Sequence, residues 1–519
     1  MTAPISLRVA IDAPQHTELS APLSYASEYP LPPGTLVRVP LGRRVVTGLV
    51  WNSADTAPAA LELRSVTEAL TALTPLTEPW CRLVDFSAAY YQRSLGEVAL
   101  SVLPPELRKL GNAQIENRIA KLRKALPLGS VAAAQSARLP VLTDEQAGVV
   151  AAIEAPGDHG AAPDSGRGPP VLLHGVTGSG KTEVYLRAAA AVLATGRQAL
   201  VLVPEINLTP QLEARFAERF AGRTIVSLHS GLTPAQRLRS WLAAHLGLAD
   251  LVLGTRLAVF ASLPRLGLIV VDEEHDPSYK QQEGARYSAR DLAVYRGQLE
   301  GATVILGSAT PSLESWHGAN QGRYRRLSLP TRVGGGALPT VRLVDMNRLP
   351  KVNGGAPALA PQLVDAMNQR LARGEQSLVF LNRRGYAPVL HCADCGWKSG
   401  CPNCSAWRVF HKLDRTLRCH HCGLTERVPR ACPECGNLDI APIGRGTERL
   451  EEQLAAVLSG PDGRPPRIAR IDADSTRAKG ALEARLSEVH AGDVDVLVGT
   501  QMVTKGHDFR RVTLVAAVN

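Results

Sequence analysis

The sequence predicts a multidomain α/β protein with two parallel-sheet lobes, the second incomplete, a β-rich N-terminal domain and an inserted cysteine-rich module. Three observations lead there. From about residue 141 onward, apolar runs such as Ala199–Val203, Leu251–Leu253 and Leu268–Val271 alternate with helical segments, the pattern of parallel strands covered on both faces. The first fifty residues carry short strand signals separated by Pro32-Pro33-Gly34 and Gly42-Arg43-Arg44 turns. Eight of the nine cysteines lie between residues 392 and 435 as four C-x-x-C pairs. The 519 residues are 45% hydrophobic and 20% charged, ordinary for a globular chain of several domains. A formal charge of +10 suits a polyanionic partner, although a merely basic surface gives the same figure. Met1–Arg8 has no basic region followed by an apolar core, and no apolar run is long enough to span a membrane. The expected location is therefore the cytoplasm, without membrane contact.

Val9–Ile11, Leu36–Leu41 and Val45–Trp51 read as strands of a small barrel or sandwich in a domain spanning residues 1–105. Glu78–Leu103 reads as helix, with Trp80, Leu83, Val84, Phe86, Tyr90 and Tyr91 on a broad apolar face that serves as core. Residues 106–140 form a separate basic stretch, helical over Leu107–Leu128, with Arg108, Lys109, Arg118, Lys121, Arg123 and Lys124. It is a DNA contact or a solvated connector.

A third region, 141–335, opens at Leu142-Thr143-Asp144-Glu145-Gln146, a helix start with Thr143 as N-cap. In many helicases a glutamine here reads adenine. Pro170–Leu173 is then an apolar strand, and Gly175, Val176, Thr177, Gly178, Ser179, Gly180, Lys181 and Thr182 follow before a helix. Strand, glycine-rich loop, Lys-Thr and helix form a P-loop. Glycines let backbone N–H groups close around phosphate, and the helix N-terminus adds partial positive charge. Lys181 reaches the terminal phosphates of ATP, and Thr182 can ligate Mg²⁺. The run Leu268–Val271 delivers Asp272-Glu273-Glu274-His275 at its C-terminal end, the Walker B arrangement. Asp272 is expected to hold Mg²⁺ and Glu273 to activate water. Gly307-Ser308-Ala309-Thr310, one helix and one strand later, can sense the γ-phosphate and pass that state to nucleic acid.

Together these elements resemble a superfamily 2 helicase lobe of RecA-like fold. Pro204–Leu212, Leu228–Leu232 and the long stretch Asp272–Gly284 closely resemble the PriA family, the bacterial primosomal replication-restart helicases or primosomal protein N′. The likeness runs from near residue 1 to the last residue. It implies that the loop after Walker B couples single-stranded DNA to ATP hydrolysis through Tyr279, Arg286, Tyr287 and Arg290, with Ala285 standing where a tryptophan is expected. It also implies that the N-terminal domain binds the nascent 3′ end, with Gly42 and Arg64 at the 3′ nucleotide and Ser24 replacing an acid, and that residues 106–140 are a shortened winged-helix region.

Residues 336–519 read as a second, truncated lobe opening at Ser377–Tyr386, with a zinc-binding insertion at 391–437. Each of the pairs Cys392/Cys395, Cys401/Cys404, Cys419/Cys422 and Cys432/Cys435 makes a knuckle, and two knuckles complete a closed Zn²⁺ site, so two Zn²⁺ are expected. Five residues separate the first and second knuckles and fourteen the second and third. That spacing favours a nested pairing: Cys401, Cys404, Cys419 and Cys422 on one ion, the other four on the second. The resemblance implies the same pairing. His420 and His421 are alternative ligands or surface residues. Trp397, Trp407, Arg408, Lys412, Arg415 and Arg418 make the module a candidate DNA or partner surface. Val496–Phe509 resembles helicase motif V. The family continues into a further arginine motif and C-terminal domain, so the chain reads as a fragment ending on a core strand. The resemblance implies a 3′→5′ DNA helicase, monomeric, that acts on forked and single-stranded DNA with primosome proteins and single-stranded DNA-binding protein. A non-catalytic fork-binding scaffold is the alternative. An RNA helicase or restriction translocase would share the ATPase core without predicting the cysteines.

Overall fold

The computed structural model describes residues 5–12, 21–54, 63–125, 139–155, 168–204, 210–334, 339–350, 359–381, 389–392, 394–411, 415–419, 422–443, 447–460, 463–472, 475, 481–500, 509 and 511–518. Two compact units divide the chain, Met1–Leu338 and Pro339–Asn519. No helix among the described residues is long and apolar enough to cross a membrane.

The first unit begins with strands β1 (Ile5–Ile11), β2 (Leu23–Ser27), β3 (Leu36–Leu41), β4 (Arg44–Ala54) and β5 (Glu68–Ala69). They pair antiparallel in the order β2-β1-β4-β3-β5. Alternation turns Leu7, Val9, Val37 and Val39 inward with Tyr25 and Val50. The sheet closes on itself: Ala26 N–H donates to Arg64 O and Val66 N–H to Ala26 O, both at 2.9 Å. The barrel-or-sandwich expectation thus resolves to a small closed barrel, which leaves no long free edge. Strand β2 was not anticipated, because two serines in five residues dilute its apolar pattern.

Two helices, α1 (Glu78–Tyr90) and α2 (Leu95–Ser101), replace the single helical stretch expected from the sequence. Gln92 adopts φ +52° between them, and Ser94 Oγ starts the second by accepting from Glu97 N–H. Trp80, Leu83 and Val84 are buried, while Tyr90 is 68% exposed. Helix α3 (Asn112–Ala125) buries Ile115, Ile119 and Leu122 and turns Arg118, Lys121, Arg123 and Lys124 to solvent. Residues 126–138 lie outside the described residues; the described part of the 106–140 stretch contains no strand, so no wing is seen there.

After α4 (Asp144–Glu154) comes the parallel sheet: β6 (Val171–Gly175), α5 (Lys181–Ala194), β7 (Gln198–Leu202), α6 (Pro210–Arg219), β8 (Ile225–Leu228), α7 (Pro234–His245), β9 (Leu251–Gly254), β10 (Leu266–Asp272), α8 (Ala289–Glu300), β11 (Thr303–Ser308), α9 (Leu313–Asn320) and β12 (Arg325–Leu329). Its order is β12-β6-β11-β10-β7-β9-β8. Successive residues of one strand enter opposite cores: Ile269 and Val271 one, Leu268 and Val270 the other. That is why these strands read as continuous apolar runs. The edge strand β12, Arg-Arg-Leu-Ser-Leu, lacks such a run and was missed.

The barrel domain and the parallel sheet share one core. Trp80 Nε1–H donates to Phe260 O at 2.8 Å. His245 Nε2–H donates to Thr74 O at 2.9 Å, and Nδ1 lies 2.9 Å from Ser262 Oγ, whose hydroxyl donates to it when the imidazole is neutral. Burial pushes the His245 pKa down to about 4 from an ordinary 6.5. In that window the unfolded chain binds the extra proton. The contribution is therefore complete above pH 6.5 and shrinks as pH falls toward 4, by about 3 kcal/mol for a shift of this size. We expect His245→Gln to be less stable than the parent at pH 7 and to lose that deficit by pH 4.5. Thermal melts and amide exchange across α7 at both pH values check this; a deficit unchanged with pH would refute it.

In the second unit β13 (Gln376–Leu381) begins a parallel sheet completed by β19 (Ile468–Ile471), β20 (Val496–Gly499) and β21 (Val512–Val518), in the order β19-β20-β13-β21. Between β13 and β19 the chain forms β14 (Val389–Cys392), β15 (Val409–His411), β16 (Thr416–Arg418), β17 (Thr425–Arg427) and β18 (Ile440–Ile443). Strands β14 and β18 pair antiparallel and so tie together the entry and exit of the cysteine module. Helices α10 (Pro361–Ala372), α11 (Thr447–Val457) and α12 (Ala481–Ala491) complete this unit.

Candidate nucleotide site, cysteine module and nucleic-acid face

The P-loop sits between the end of β6 and the start of α5. Gly178 and Gly180 take φ +84° and +79°, where a side chain would be strained. A Cβ on Gly180 would also overlap Gln146 Nε2. Lys181 Nζ donates to Gly175 O at 2.9 Å, which holds the ammonium over the loop. Ser179 Oγ is buried against Gly175, with no hydrogen-bond partner, while the loop backbone and the Lys181 ammonium supply the donors that a phosphate needs. The loop therefore fits a nucleotide phosphate. Gln146, expected to read adenine, is 3% exposed and already engaged. Its Oε1 accepts from Thr143 N–H at 3.0 Å and its Nε2–H donates to Ser179 O at 2.9 Å. In this structure it braces the P-loop from beneath.

The Walker B acids emerge from β10 beside that loop. Burial, and next the charge of Glu273, push the Asp272 pKa up to about 6, while the Tyr185 hydroxyl and the positive charge of Lys181 pull it down. Tyr185 O–H donates to Asp272 Oδ1 at 3.0 Å. Burial and the Asp272 charge hold that phenol far above its usual range, so it stays a donor. A Cβ at residue 307 would overlap the Tyr185 hydroxyl, so Gly307 is what lets the phenol reach the acid. Glu273 adopts φ +47°, a strained backbone for a non-glycine residue of the kind found at working sites. His275 Nδ1 lies 2.8 Å from Ser308 Oγ and 3.6 Å from Glu273 Oε2. Ser308 of the Gly-Ser-Ala-Thr segment thus meets the Walker B segment directly.

Two residues that sequence reading passed over hold this site in place. Tyr185 lies four residues after Lys181, on the same face of α5, a helical spacing that could have revealed it. Glu274 is buried and accepts from Ser312 N–H at 2.7 Å, Ser312 Oγ at 3.0 Å and Ser315 Oγ at 2.8 Å, with Arg290 at 3.4 Å. It ties β10 to the start of α9. We expect Tyr185→Phe to free Asp272 Oδ1 and raise the Mg²⁺ needed for half-maximal nucleotide binding several-fold, since a charge-assisted hydrogen bond is worth about 1.5–3 kcal/mol. Titration of a fluorescent ATP analogue at varied Mg²⁺ measures it; an unchanged Mg²⁺ dependence would count against the role.

The loop after β10 departs from expectation. Tyr279 and Tyr287, expected to stack on DNA bases, are 2% and 6% exposed. Tyr279 O–H lies 2.6 Å from Asp272 O and 3.0 Å from Leu202 O, which fastens the loop to the ends of β10 and β7. Tyr287 meets Phe260 edge-on at 5.1 Å. Apolar surface on both rings drew them into the core, and neither presents a face to solvent. Arg290 is drawn into the Glu274 cluster, so of the four loop residues expected at DNA, Arg286 alone is exposed. The barrel domain reaches this loop: Ser288 N–H donates to Tyr91 Oη at 3.0 Å, and Lys280 Nζ lies 5.3 Å from the Tyr91 ring centre.

In the barrel, Gly42 turns between β3 and β4 with φ +59° and open space around it. Arg64 Nη1–H donates to Gly42 O at 3.0 Å, so the two residues expected at a 3′ nucleotide share one exposed locus. Ser24 is nearby in the same sheet and accepts from Arg8 Nη1–H at 3.4 Å.

In the second unit the eight sulfurs fall into two tetrads, Cys392/Cys395/Cys432/Cys435 and Cys401/Cys404/Cys419/Cys422, with the four sulfurs of each within 4.8 Å of one another. Tetrahedral Zn–S bonds of about 2.3 Å place sulfurs about 3.8 Å apart, so both tetrads fit zinc. The pairing is nested, inner knuckles together and outer knuckles together. Trp407 is 50% exposed, with Lys398 Nζ 5.9 Å from its ring centre, whereas Arg408 is held by Glu426. His420, His421, Lys412, most of Pro204–Leu212 and, within Val496–Phe509, residues 501–508 lie outside the described residues.

Comparison with known proteins bears on this geometry. Residues 159–317 match the DEAD/DEAH box helicase model, residues 8–104 a 3′ DNA-binding domain, and residues 401–427 the PriA DNA helicase Cys-rich region domain. The Replication restart protein PriA of Rickettsia felis is 36% identical over 490 residues, covering 94% of this chain and 70% of that protein. The chain belongs to the PriA family. PriA proteins of Bacillus subtilis and Haemophilus influenzae are 45% and 47% identical over 348 residues, 67% of this chain, but the match spans 42% and 46% of their own length. Among solved structures, RecG bound to a three-way DNA junction aligns with TM-score 0.40 and 16% identity over 84% of this chain and 44% of that one, too distant a likeness to carry an inference. As a PriA-family chain, this one combines a helicase lobe, a DNA-binding barrel and a zinc-type cysteine module, and the Gly42–Arg64 locus lies inside the region matched by the 3′ DNA-binding model.

Proposed function

We propose that this chain carries the ATPase and fork-recognition machinery of a 3′→5′ DNA helicase that acts at stalled or abandoned replication forks and starts primosome assembly. On this reading it works as a cytoplasmic monomer with primosome proteins and single-stranded DNA-binding protein. The observation that carries the reading is the continuity between the Walker B acids and the loop at Tyr279, which is hydrogen-bonded through Ser288 to the barrel domain.

The chemistry follows from the residues. Lys181 and the amides of the glycine-rich loop bind the terminal phosphates of ATP. Thr182 and Asp272 would hold Mg²⁺, which when bound neutralises charge developing on the transferred phosphoryl group. Glu273 orients the attacking water and takes its proton. Tyr279 fixes the Asp272 carbonyl, so a shift of the loop alters the position of the acid. Gly42 and Arg64 receive the 3′ end of the nascent strand, Gly42 because a Cβ-free turn leaves room for a sugar and Arg64 because it offers a guanidinium.

Partial duplexes with 3′ or 5′ tails, and forks with a free or blocked leading-strand 3′ end, test the proposal. Unwinding of the 3′-tailed substrate, with tighter binding to the free 3′ end, is expected. Fork binding without DNA-stimulated hydrolysis would favour the scaffold reading and sink the motor.

A further inference from the structure

Beyond β12 the chain stays beside the P-loop as a strap, Pro330-Thr331-Arg332-Val333-Gly334. Backbone bonds fasten it at two points: Val176 N–H donates to Leu329 O at 3.1 Å, and Val333 N–H to Gly178 O at 2.9 Å. Thr331 ties the strap to α4, donating through Oγ1–H to Glu145 Oε1 at 2.6 Å and through N–H to Glu145 Oε2 at 3.3 Å. Its next two side chains follow the glycines of the phosphate cradle. A Cβ on Gly180 would lie 3.3 Å from Val333 Cγ2, and one on Gly178 would lie 3.8 Å and 3.9 Å from Arg332 Cγ and Cδ. One glycine is thus flanked by an isopropyl group and the other by an arginine stem.

Neither side chain is spent on the fold. Val333 is 53% exposed, an apolar surface at the rim of a polar loop. Arg332 is half-buried, yet among the described residues its guanidinium takes part in no ion pair or hydrogen bond. Gln146, which has the chemistry to read a base, is consumed by Thr143 and Ser179. The base of a bound nucleotide therefore needs another wall, and the strap offers one. A purine ring has two flat faces of low polarity. Valine methyls contact such a face by dispersion, and a planar guanidinium stacks on it. A phosphate would gain from Arg332 but nothing from Val333. We propose that the strap is the base wall of the nucleotide site, with the purine ring of ATP lying against Val333 and stacked on the Arg332 guanidinium.

The proposal rests on the ATP-binding reading of the P-loop and adds to it the residues that hold the base. Arg332 and Val333 flank the phosphate cradle and not the Walker B acids. Their substitution should raise KM for ATP more than it lowers kcat.

The test uses the full chain and compares two ligands by titration calorimetry: Mg-ADP, and inorganic tripolyphosphate, which has phosphates and no base. Arg332→Ala is expected to weaken ADP binding about fivefold and to bind tripolyphosphate as the parent does. Val333→Ser should show a smaller loss of the same kind. Arg332→Lys keeps the charge but not the plane, so it should fall nearer to Arg332→Ala than to the parent. A loss shared equally by ADP and tripolyphosphate, or full rescue by Arg332→Lys, would assign Arg332 to the phosphates and overturn the base wall. So would ADP binding unchanged in both Arg332→Ala and Val333→Ser. In a second arm, which needs no variant, the parent is photolabelled with 8-azido-ATP and mapped by mass spectrometry. Label within residues 330–334 is expected, and label confined to other segments would overturn the proposal while leaving the P-loop reading in place. A parent that binds neither ADP nor tripolyphosphate would overturn both.

Discussion

Lys181→Ala is expected to lower DNA-stimulated ATP turnover by at least about a hundredfold, roughly 2.7 kcal/mol of transition-state stabilisation. The ammonium lies over the glycine-rich loop through its bond to Gly175 O and is close enough to lower the Asp272 pKa. Nothing else in the described loop carries a positive side chain. Fork binding should persist, because the Gly42–Arg64 locus is in the barrel and makes no use of Lys181. Glu273→Gln separates the roles further: nucleotide should still bind while turnover falls. Steady-state ATPase with and without a fork, alongside fork-binding titrations, measures both. Turnover by Lys181→Ala at the parent rate would remove the P-loop assignment.

The second large effect belongs to the cysteine module. Cys392 is fully buried and sits at the end of β14, whose pairing with β18 closes the module. Cys392→Ser leaves three thiolates in the outer tetrad, and structural zinc contributes much of the folding free energy of such small domains, on the order of 10–16 kcal/mol in isolated zinc-finger peptides. Zinc content should therefore drop from about two to about one per chain, with new proteolytic cleavage between residues 389 and 443. Elemental analysis and limited proteolysis read this. Retention of two zincs would show that Cys392 is not a ligand. Loss of both would show that the tetrads are not independent.

Much of this protein can be read without coordinates. Parallel strands buried on both faces are bound to appear as apolar runs, so β7, β9, β10 and β11 were visible in order. The P-loop and Walker B segments are local: a phosphate cradle needs glycines, a lysine and a helix start within eight consecutive residues, and a short window of sequence contains all of it. Four C-x-x-C knuckles likewise announce metal chemistry because thiolate spacing is set within each knuckle. Two strands, β2 and β12, failed to announce themselves. Their own residues are too polar to mark them, and β12 also draws its pairing from β6, far away in sequence.

What only the tertiary structure decided is where side chains capable of two roles are spent. An aromatic ring in a loop can stack on a base or enter a core, and local sequence does not distinguish the two. Burial of Tyr279 and Tyr287 follows from the sheet and α-helices they meet, which are assembled from segments far apart in the chain. Gln146 has the chemistry to read adenine, but its amide is consumed by Thr143 in a local capping box and by Ser179, the second a partnership that exists only once α4 has docked against the P-loop. Tyr185 became a partner of Asp272 because β11 carries glycine at 307, a coincidence of three elements. By itself the sequence determined the chemistry present, since each reactive motif is contiguous and short. Folding decided which of those groups remain free to use it, since hydrogen bonds and burial are settled between residues that the sequence keeps apart.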